Sequence, residues 1–466
     1  MSTKVKKENK MGTMPMLPLL LSMSLPAMFS MTIMAMYNVV DSIFIGNYDQ
    51  RGLTAVSLAY PLQLMLIAAS VGTAIGVNSL VSRKLGEKDY KMANSAATHG
   101  LALCGFTFVF FLLLGIFAVK PFMAVFSTDN VVYEYGVQYL TVVLCFSLFS
   151  IIQVMVEKTL QATGNMIYPM LFQLLGAVIN IIFDPLLIYG IGFFPECGVL
   201  GAAIATVFGQ FCGMVFALAV LFLKKHEIKI QIKGFRMQKS MVKSIYSVGF
   251  PSIIMQSIGA VMMLGLNSIF KAADSEVSVR VYGIYFKLQS FVFMPCFGLN
   301  QGVMPVIGYN YGARNKKRMY SALKIGIIIA VVIMSVGVLL MWLIPDVLIS
   351  MFGGDKELME KGEYAFRIIS LCFLPAAVGI LFTTLFQAVG KGFRSLMMSF
   401  ARQLVLVLPI AFVLNAAFGV DAVWYAFPIA ELGSLILAIG FFLNLVNGDF
   451  KKLDSHEESA DVKEHG

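Results

Sequence analysis

The sequence predicts an all-α integral membrane protein with twelve transmembrane helices in two parallel six-helix bundles. Three observations carry that reading: hydropathy, the distribution of cations over the loops, and an internal repeat. The 466 residues are 58% hydrophobic and only 13% charged, with a mean hydropathy of +0.81, whereas soluble domains run near half apolar and a quarter charged. That composition excludes a water-soluble enzyme. Because about 20 apolar residues cross the hydrocarbon core as a helix, the chain has material for roughly a dozen spans.

Apolar segments separated by Gly, Asn or charged breaks place spans at 16–45, 54–80, 93–118, 131–157, 165–190, 198–223, 244–270, 278–308, 321–345, 363–386, 395–418 and 420–446. The basic start (Lys4, Lys6, Lys7, Lys10) precedes an apolar run too long for a signal-peptide core, so it reads as a tail (1–15) before a retained first span. Residues 224–243 form a long basic linker between an N-terminal bundle (16–223) and a C-terminal bundle (244–446), and residues 447–466 an acidic, solvated tail. Alternate loops carry 26 of the 35 Lys and Arg residues, against 6 on the intervening loops. The positive-inside rule then places both termini in the cytoplasm of a bacterial inner-membrane protein. The net charge of +9 is thereby accounted for by topology and gives no reason to expect a nucleic-acid partner. Five of the six cysteines lie in apolar runs, so no disulfide is expected.

The repeat has a lag of 226 residues and runs without a gap from the first span to the loop after the fourth. Ser42-Ile43-Phe44 meets Ser268-Ile269-Phe270, and Gln161-Ala162 meets Gln387-Ala388. Six glycine pairs share the lag (72/298, 76/302, 86/312, 100/326, 136/362 and 164/390) where about one coincidence is expected by chance. Six spans separate equivalent helices, so these point the same way through the membrane and relate the halves by an axis along its normal, with a cavity between them. Bundles that rock about a shared cavity perform alternating access, which makes a transporter the leading class. With no Walker A sequence and no metal-ligand spacing among His99, His226, His456 and His465, neither ATP nor a metal cofactor is indicated.

Several motifs now converge: Asn38-Val39-Val40-Asp41 in the first span, Ser82-Arg83-Lys84-Leu85-Gly86 after the second, Gln161-Ala162-Thr163-Gly164, Asn180 with Asp184-Pro185, Gly198-Val199-Leu200-Gly201-Ala202-Ala203, and Pro305-Val306-Ile307-Gly308-Tyr309-Asn310-Tyr311-Gly312. Over residues 15–446 the chain resembles the multidrug and toxic compound extrusion (MATE) family, of MATE/MOP-type fold, and within it the bacterial MepA-like branch. The resemblance implies a monomeric exporter of varied, mostly cationic organic drugs, driven by inward-moving Na+ or H+ and needing no cofactor beyond that coupling ion.

Charges inside spans are costly and mark partners or cavities. Asp41, Glu157 and Asp184 align at the repeat lag with Asn267, Thr383 and Ile410, so the acids specialise the N-terminal half. Asn180 and Asp184 share a helix face, and Pro185 frees the carbonyl of Ile181 as a further oxygen. Two carboxylates with neutral oxygens in a dry cavity bind Na+ or share one proton; Asp41 capping the end of its helix is the structural alternative. The resemblance adds a hydroxyl on the sixth span, with Thr206 the nearest candidate and Ala202 the competing alignment, and a hydrogen-bonding Tyr on the fourth, matched by Tyr139. It also matches Glu157 to an acid of the MepA-like branch: either a substrate contact or a solvated interfacial acid beside Lys158. In the C-terminal half Glu431 is either a second acidic cavity site or an internal partner of Lys287 or Arg402. The thirty methionines suit a compliant drug pocket, although most meet lipid or neighbouring helices. Against export stand a flippase for a lipid-linked oligosaccharide, which requires a strongly cationic cavity, and a membrane-embedded enzyme, for which no nucleophile and base are in place.

Overall fold

A computed structural model describes residues 9–231, 233–273, 275–352 and 356–451. The acidic-tail expectation falls on residues outside this set, except where the last helix extends into it. Ten continuous helices and two bent pairs make up the twelve spans. They are α1 (Met16–Tyr48), α2 (Gln50–Gly86), α3 (Tyr90–Phe126), α4 (Asn130–Cys145 and Leu148–Ala162), α5 (Ile167–Ile188), α6 (Val199–Leu223), α7 (Lys239–Ala272), α8 (Glu276–Gly312), α9 (Lys316–Leu343), α10 (Lys356–Ser370 and Phe373–Ala388), α11 (Gly392–Phe418) and α12 (Val420–Phe450). The arms of α4 and α10 bend by 48° and 44°.

Local chemistry sets these boundaries, and much of it recurs at the repeat lag. Asp49, Asp89 and Asp129 cap α2, α3 and α4 by accepting from backbone N–H groups of the first turn, as Ser275 and Asn315 do for α8 and α9. Asp49 sits in the α1–α2 turn, where hydrogen bonds from the Arg51 guanidinium and backbone hold its carboxyl below the usual carboxylate range and keep the cap charged. After the second arms of α4 and α10 the chain turns through Gly164 and Gly390, at φ +87° and +84°, a conformation that costs glycine little. Pro345 ends α9 and opens a short helix, Pro345–Ser350, because its ring cannot continue a helix; the equivalent Val119 lets α3 run on to Phe126.

Helices exceed the hydropathy-based spans at their polar ends, where apolarity gives no signal. The linker is shortened because α7 starts at Lys239 rather than at 244, and α12 runs on to Phe450 past 446. The linker strand lies along α3: the backbone N–H groups of Lys229, Gln231 and Gln238 donate to Asn94 Oδ1, Thr98 Oγ1 and His99 Nε2 at 2.8, 3.1 and 3.0 Å. His99, buried and bonded at Nδ1 to the Ser95 carbonyl, is thus a structural residue. The N-terminal tail is also built into the fold. A short helix, Lys10–Thr13, places Met11 wholly inside, where its carbonyl accepts from Asn310 Nδ2 at 3.0 Å and Arg318 Nη2 at 3.1 Å, while Asn9 Nδ2 donates to Thr163 O at 3.1 Å.

The halves meet along α1 against α8 and α2 against α7. Three of the six repeated glycine pairs form this seam. A Cβ at Gly86 would strike the carbonyl oxygen of Tyr309, and one at Gly312 the carbonyl oxygen of Arg83. Tyr309 and Arg83 are themselves 226 apart, so the two contacts are one contact seen twice across a pseudo-twofold axis. Gly72 against Ile253 and Gly298 against Met28 repeat the pattern one layer further in. Ser79 Oγ donates to Gln387 O at 2.5 Å across the same seam.

The seam opens away from the termini. On one face of α1, Leu20, Ser24 and Ala27 are buried, whereas Met34, Asn38 and Ser42, further along the same stripe, are exposed. On α8, Gly298 and Gly302 are buried while Phe291 and Lys287 are exposed. The molecule is therefore a V, closed where the chain ends lie and open at the opposite end.

Candidate functional site

Inside the N-terminal bundle, beside the open cleft, five helices bring together the principal residues expected from the sequence. Asp184, wholly buried on α5, accepts a hydrogen bond at Oδ1 from Asn180 Nδ2 at 3.2 Å. The same Asn180 nitrogen donates to Thr206 Oγ1 on α6 at 3.2 Å, so Thr206 rather than Ala202 supplies the hydroxyl. Asp41, half-buried on α1, holds its carboxyl within hydrogen-bonding reach of Asp184. It is thereby turned into the bundle and does not cap its helix, whose last turn ends at Tyr48. Tyr139 of α4 stands near both acids and accepts from Gln63 Nε2 of α2 at 3.1 Å.

Three acceptors of this cluster, Asp41 Oδ1, Asn180 Oδ1 and Asp184 Oδ2, are buried with no hydrogen-bond partner among the described residues. Buried acceptors are rarely left so, and each one costs free energy until a donor or cation reaches it. Two carboxylates held this close, with amide and hydroxyl oxygens around them, fit one shared proton or one Na+ ion. Na+ and H+ are in that case transported species. Among the described residues no group of three His, Cys, Asp or Glu is arranged to hold a metal. Sequence reasoning missed Tyr37, which also lies against Asp41 and Asp184; its position one turn before Asp41 on the same face was the available signal. Gln63 meets Gln289 at the repeat lag, and nothing in that pattern marks it as the donor to Tyr139.

Glu157 and Lys158 lie inside the protein. Both are buried, 2% and 6% exposed, at the closed end, so Glu157 is not a solvated interfacial acid. Glu157 Oε1 lies 3.5 Å from Lys158 Nζ and accepts from Gln161 Nε2 at 3.0 Å, and Oε2 accepts from Gln173 Nε2 at 2.8 Å. Lys158 Nζ also donates across the seam to Gln301 Oε1 on α8 at 2.6 Å. The pair is a polar lock between the halves. Lys158→Met, which leaves the Glu157 charge buried and uncompensated, is expected to cost about 3–5 kcal/mol. A thermal melt in detergent reads that loss, and Glu157→Gln in the same chain should recover part of it.

In the C-terminal bundle Arg402 Nη1 donates to Glu431 Oε1 at 3.1 Å, and Glu431 is buried. Lys287 lies apart, exposed, with its ammonium 5.6 Å from the Phe352 ring centroid. Glu431 is thus an internal partner of Arg402 and not of Lys287.

Twelve spans, two pseudo-symmetric bundles, a cleft open at one end and a buried acid cluster beside it fit a multi-pass membrane transporter. The MatE family profile matches residues 26–186 and 248–413, more than half of the chain, and the chain belongs to that family. It is 29% identical over 412 residues to the multidrug export protein MepA of Staphylococcus saprophyticus, covering 88% of this chain and 89% of that one. An outward-facing multidrug resistance MATE family transporter of the MOP superfamily matches at a TM-score of 0.89 and 25% identity, over 97% of this chain and 100% of that chain. A MOP superfamily transporter from Pyrococcus furiosus shares the fold at a TM-score of 0.89 and 24% identity, over 97% and 99%.

Proposed function

We propose that the chain is a secondary active multidrug antiporter of a bacterial inner membrane, exporting varied, mostly cationic organic compounds in exchange for H+ or Na+. The observation that carries this reading is the buried cluster of Asp41, Asn180, Asp184 and Thr206, with three acceptor oxygens open to a proton or cation. The cationic loops put both termini in the cytoplasm, so the closed seam faces inward and the cleft outward.

In this outward-open state an ion enters past half-buried Asp41 and reaches Asp184. Neutralising the two acids removes their repulsion and lets α1 pack more closely on α5. That packing changes the cleft wall in which the drug sits, and by linkage the ion and the drug lower each other's affinity. The protein acts as a monomer, without cofactor or nucleic acid. The multidrug export proteins it resembles support the substrate class.

Lipid-phosphate flipping calls for free cations in the cleft. Arg402 is committed to Glu431 and Lys287 lies over Phe352, which weighs against that alternative. The test is drug-dependent uptake of 22Na+ alongside H+ flux in one set of proteoliposomes. One of the two fluxes should follow drug efflux, and efflux with neither would overturn the antiport reading.

A further inference from the structure

A second feature at the open end lies outside the acid cluster and outside the seam. Where α9 ends, α10 begins and α12 begins, a cavity of about 520 Å³ is lined by Trp342, Tyr364, Tyr425, Glu360, Glu363 and Arg367. The volume falls in the range of small-molecule sites. Trp342 Nε1 donates to Ser370 Oγ at 3.0 Å, which fixes the indole plane, and the Tyr364 and Tyr425 hydroxyls meet at 3.4 Å. Arg367 is paired with Glu363 at 2.5 Å and Lys361 with Glu357 at 3.1 Å. Among the described residues Glu360 is in no ion pair, with Lys356 one turn before it, so its carboxylate is open to a ligand.

Trp and Tyr gather at membrane interfaces for purely anchoring reasons, and a belt of that kind would be expected in both halves. The particular residues do not recur over the stretch where the repeat runs: one lag before Trp342, Glu363, Tyr364 and Arg367 stand Ile116, Val137, Gln138 and Thr141, with only Glu134 retained opposite Glu360. The N-terminal half instead carries Tyr48 and Tyr135 at this end, each with its hydroxyl on an acid, Glu196 and Asp49, whereas in the C-terminal cavity the two tyrosine hydroxyls meet each other and leave the carboxylate of Glu360 to a ligand.

Three aromatic side chains around a carboxylate with no ion-pair partner among the described residues favour a cation that carries its own apolar shell, because ring quadrupoles attract it and little hydration is lost. We infer that this cavity is a second binding site, specific for a quaternary or substituted ammonium group. The group belongs either to a soluble organic cation or to a lipid headgroup. The inference goes beyond the exporter reading and does not require it, since its test reads binding and not transport.

The chain has two tryptophans, and Trp424 is buried, so Trp342 reports on the cavity once Trp424→Phe is made. Asp41→Asn with Asp184→Asn in the same protein excludes a signal from the acid cluster. Choline is expected to change Trp342 emission saturably, and 3,3-dimethyl-1-butanol, its neutral isostere, is not. Glu360→Gln with Tyr364→Leu should weaken choline by about tenfold or more. Calorimetric titration of the chain with both tryptophans intact covers the case in which Trp424→Phe does not fold. No saturable response, an equal response to the neutral isostere, or choline binding unchanged by the double variant would each overturn the site. In nanodiscs of phosphatidylglycerol, weakening of choline binding by added phosphatidylcholine or phosphatidylethanolamine supports a headgroup as occupant. Binding unaffected by those lipids supports a soluble cation.

Discussion

Asp184→Asn is expected to leave the protein folded and to abolish ion-driven efflux. The substitution is isosteric, and the oxygen retained by Asn still accepts from Asn180 Nδ2, as Oδ1 does now at 3.2 Å. What is lost is the charge, and with it the only state of the cluster that gains from a proton or Na+. If each bound ion shifts drug affinity by the 1–3 kcal/mol typical of coupled sites, its removal erases a factor of roughly 5–150. Drug should therefore still bind to detergent-purified Asp184→Asn, but with an affinity no longer sensitive to pH or Na+. Efflux from proteoliposomes should not respond to either gradient. Asp41→Asn should behave alike, because the two carboxyls act as one unit. Ion-dependent efflux that survives in both variants would remove the cluster from the mechanism.

The bundles, their relation and the acid cluster were legible in the sequence because each rests on short-range rules. Hydropathy marks spans, the lag of 226 marks the repeat, and a spacing of four puts Asn180 beside Asp184. The bend in α4 was not legible, since no proline marks it, whereas the bend in α10 had a signal that was passed over, Pro375 in the first turn of its second arm. Tyr37 was passed over because a lone tyrosine in an apolar span has no charge to explain. The setting of Lys158 was hidden for a different reason: its partner Gln301 lies 143 residues away on the other bundle, and no local pattern reports such a contact. The built-in N-terminal segment was missed in the same way, as Met11 is held by Asn310 and Arg318.

The charges inside the spans divide by role. In the N-terminal bundle Asp41 and Asp184 face each other without a cation between them, an arrangement that is costly unless something titrates or binds there. In the C-terminal bundle Glu431 has Arg402, so its charge is compensated internally. Among the described residues one bundle thus leaves this pair of acids without a cationic partner and the other pairs its acid internally, which is why the proposed ion coupling is placed in the first.

The seam glycines lead to the second large effect. Gly86→Val should open the seam between the bundles. The new side chain meets the backbone carbonyl of Tyr309, which cannot swing aside as a flexible side chain would, so the bundles themselves must separate. Overpacking of this kind costs about 1–3 kcal/mol. Because the strain exists only where the halves touch, it falls on the closed-seam state and spares any state in which the seam is open, shifting their ratio by roughly 5–150-fold. Gly312→Val should do the same from the other side of the pseudo-twofold axis, through the carbonyl of Arg83. Gly440→Ala is the control, since a Cβ there meets nothing within 4 Å. Spin labels at Lys91→Cys and Lys317→Cys, exposed equivalents in the two halves, report the separation in a protein whose native cysteines have been replaced. The label distance should lengthen in both valine variants and not in the control, with efflux falling as the closed-seam population is lost. An unchanged distance in Gly86→Val would mean that the glycines are tolerated alternatives rather than the condition under which the two bundles close.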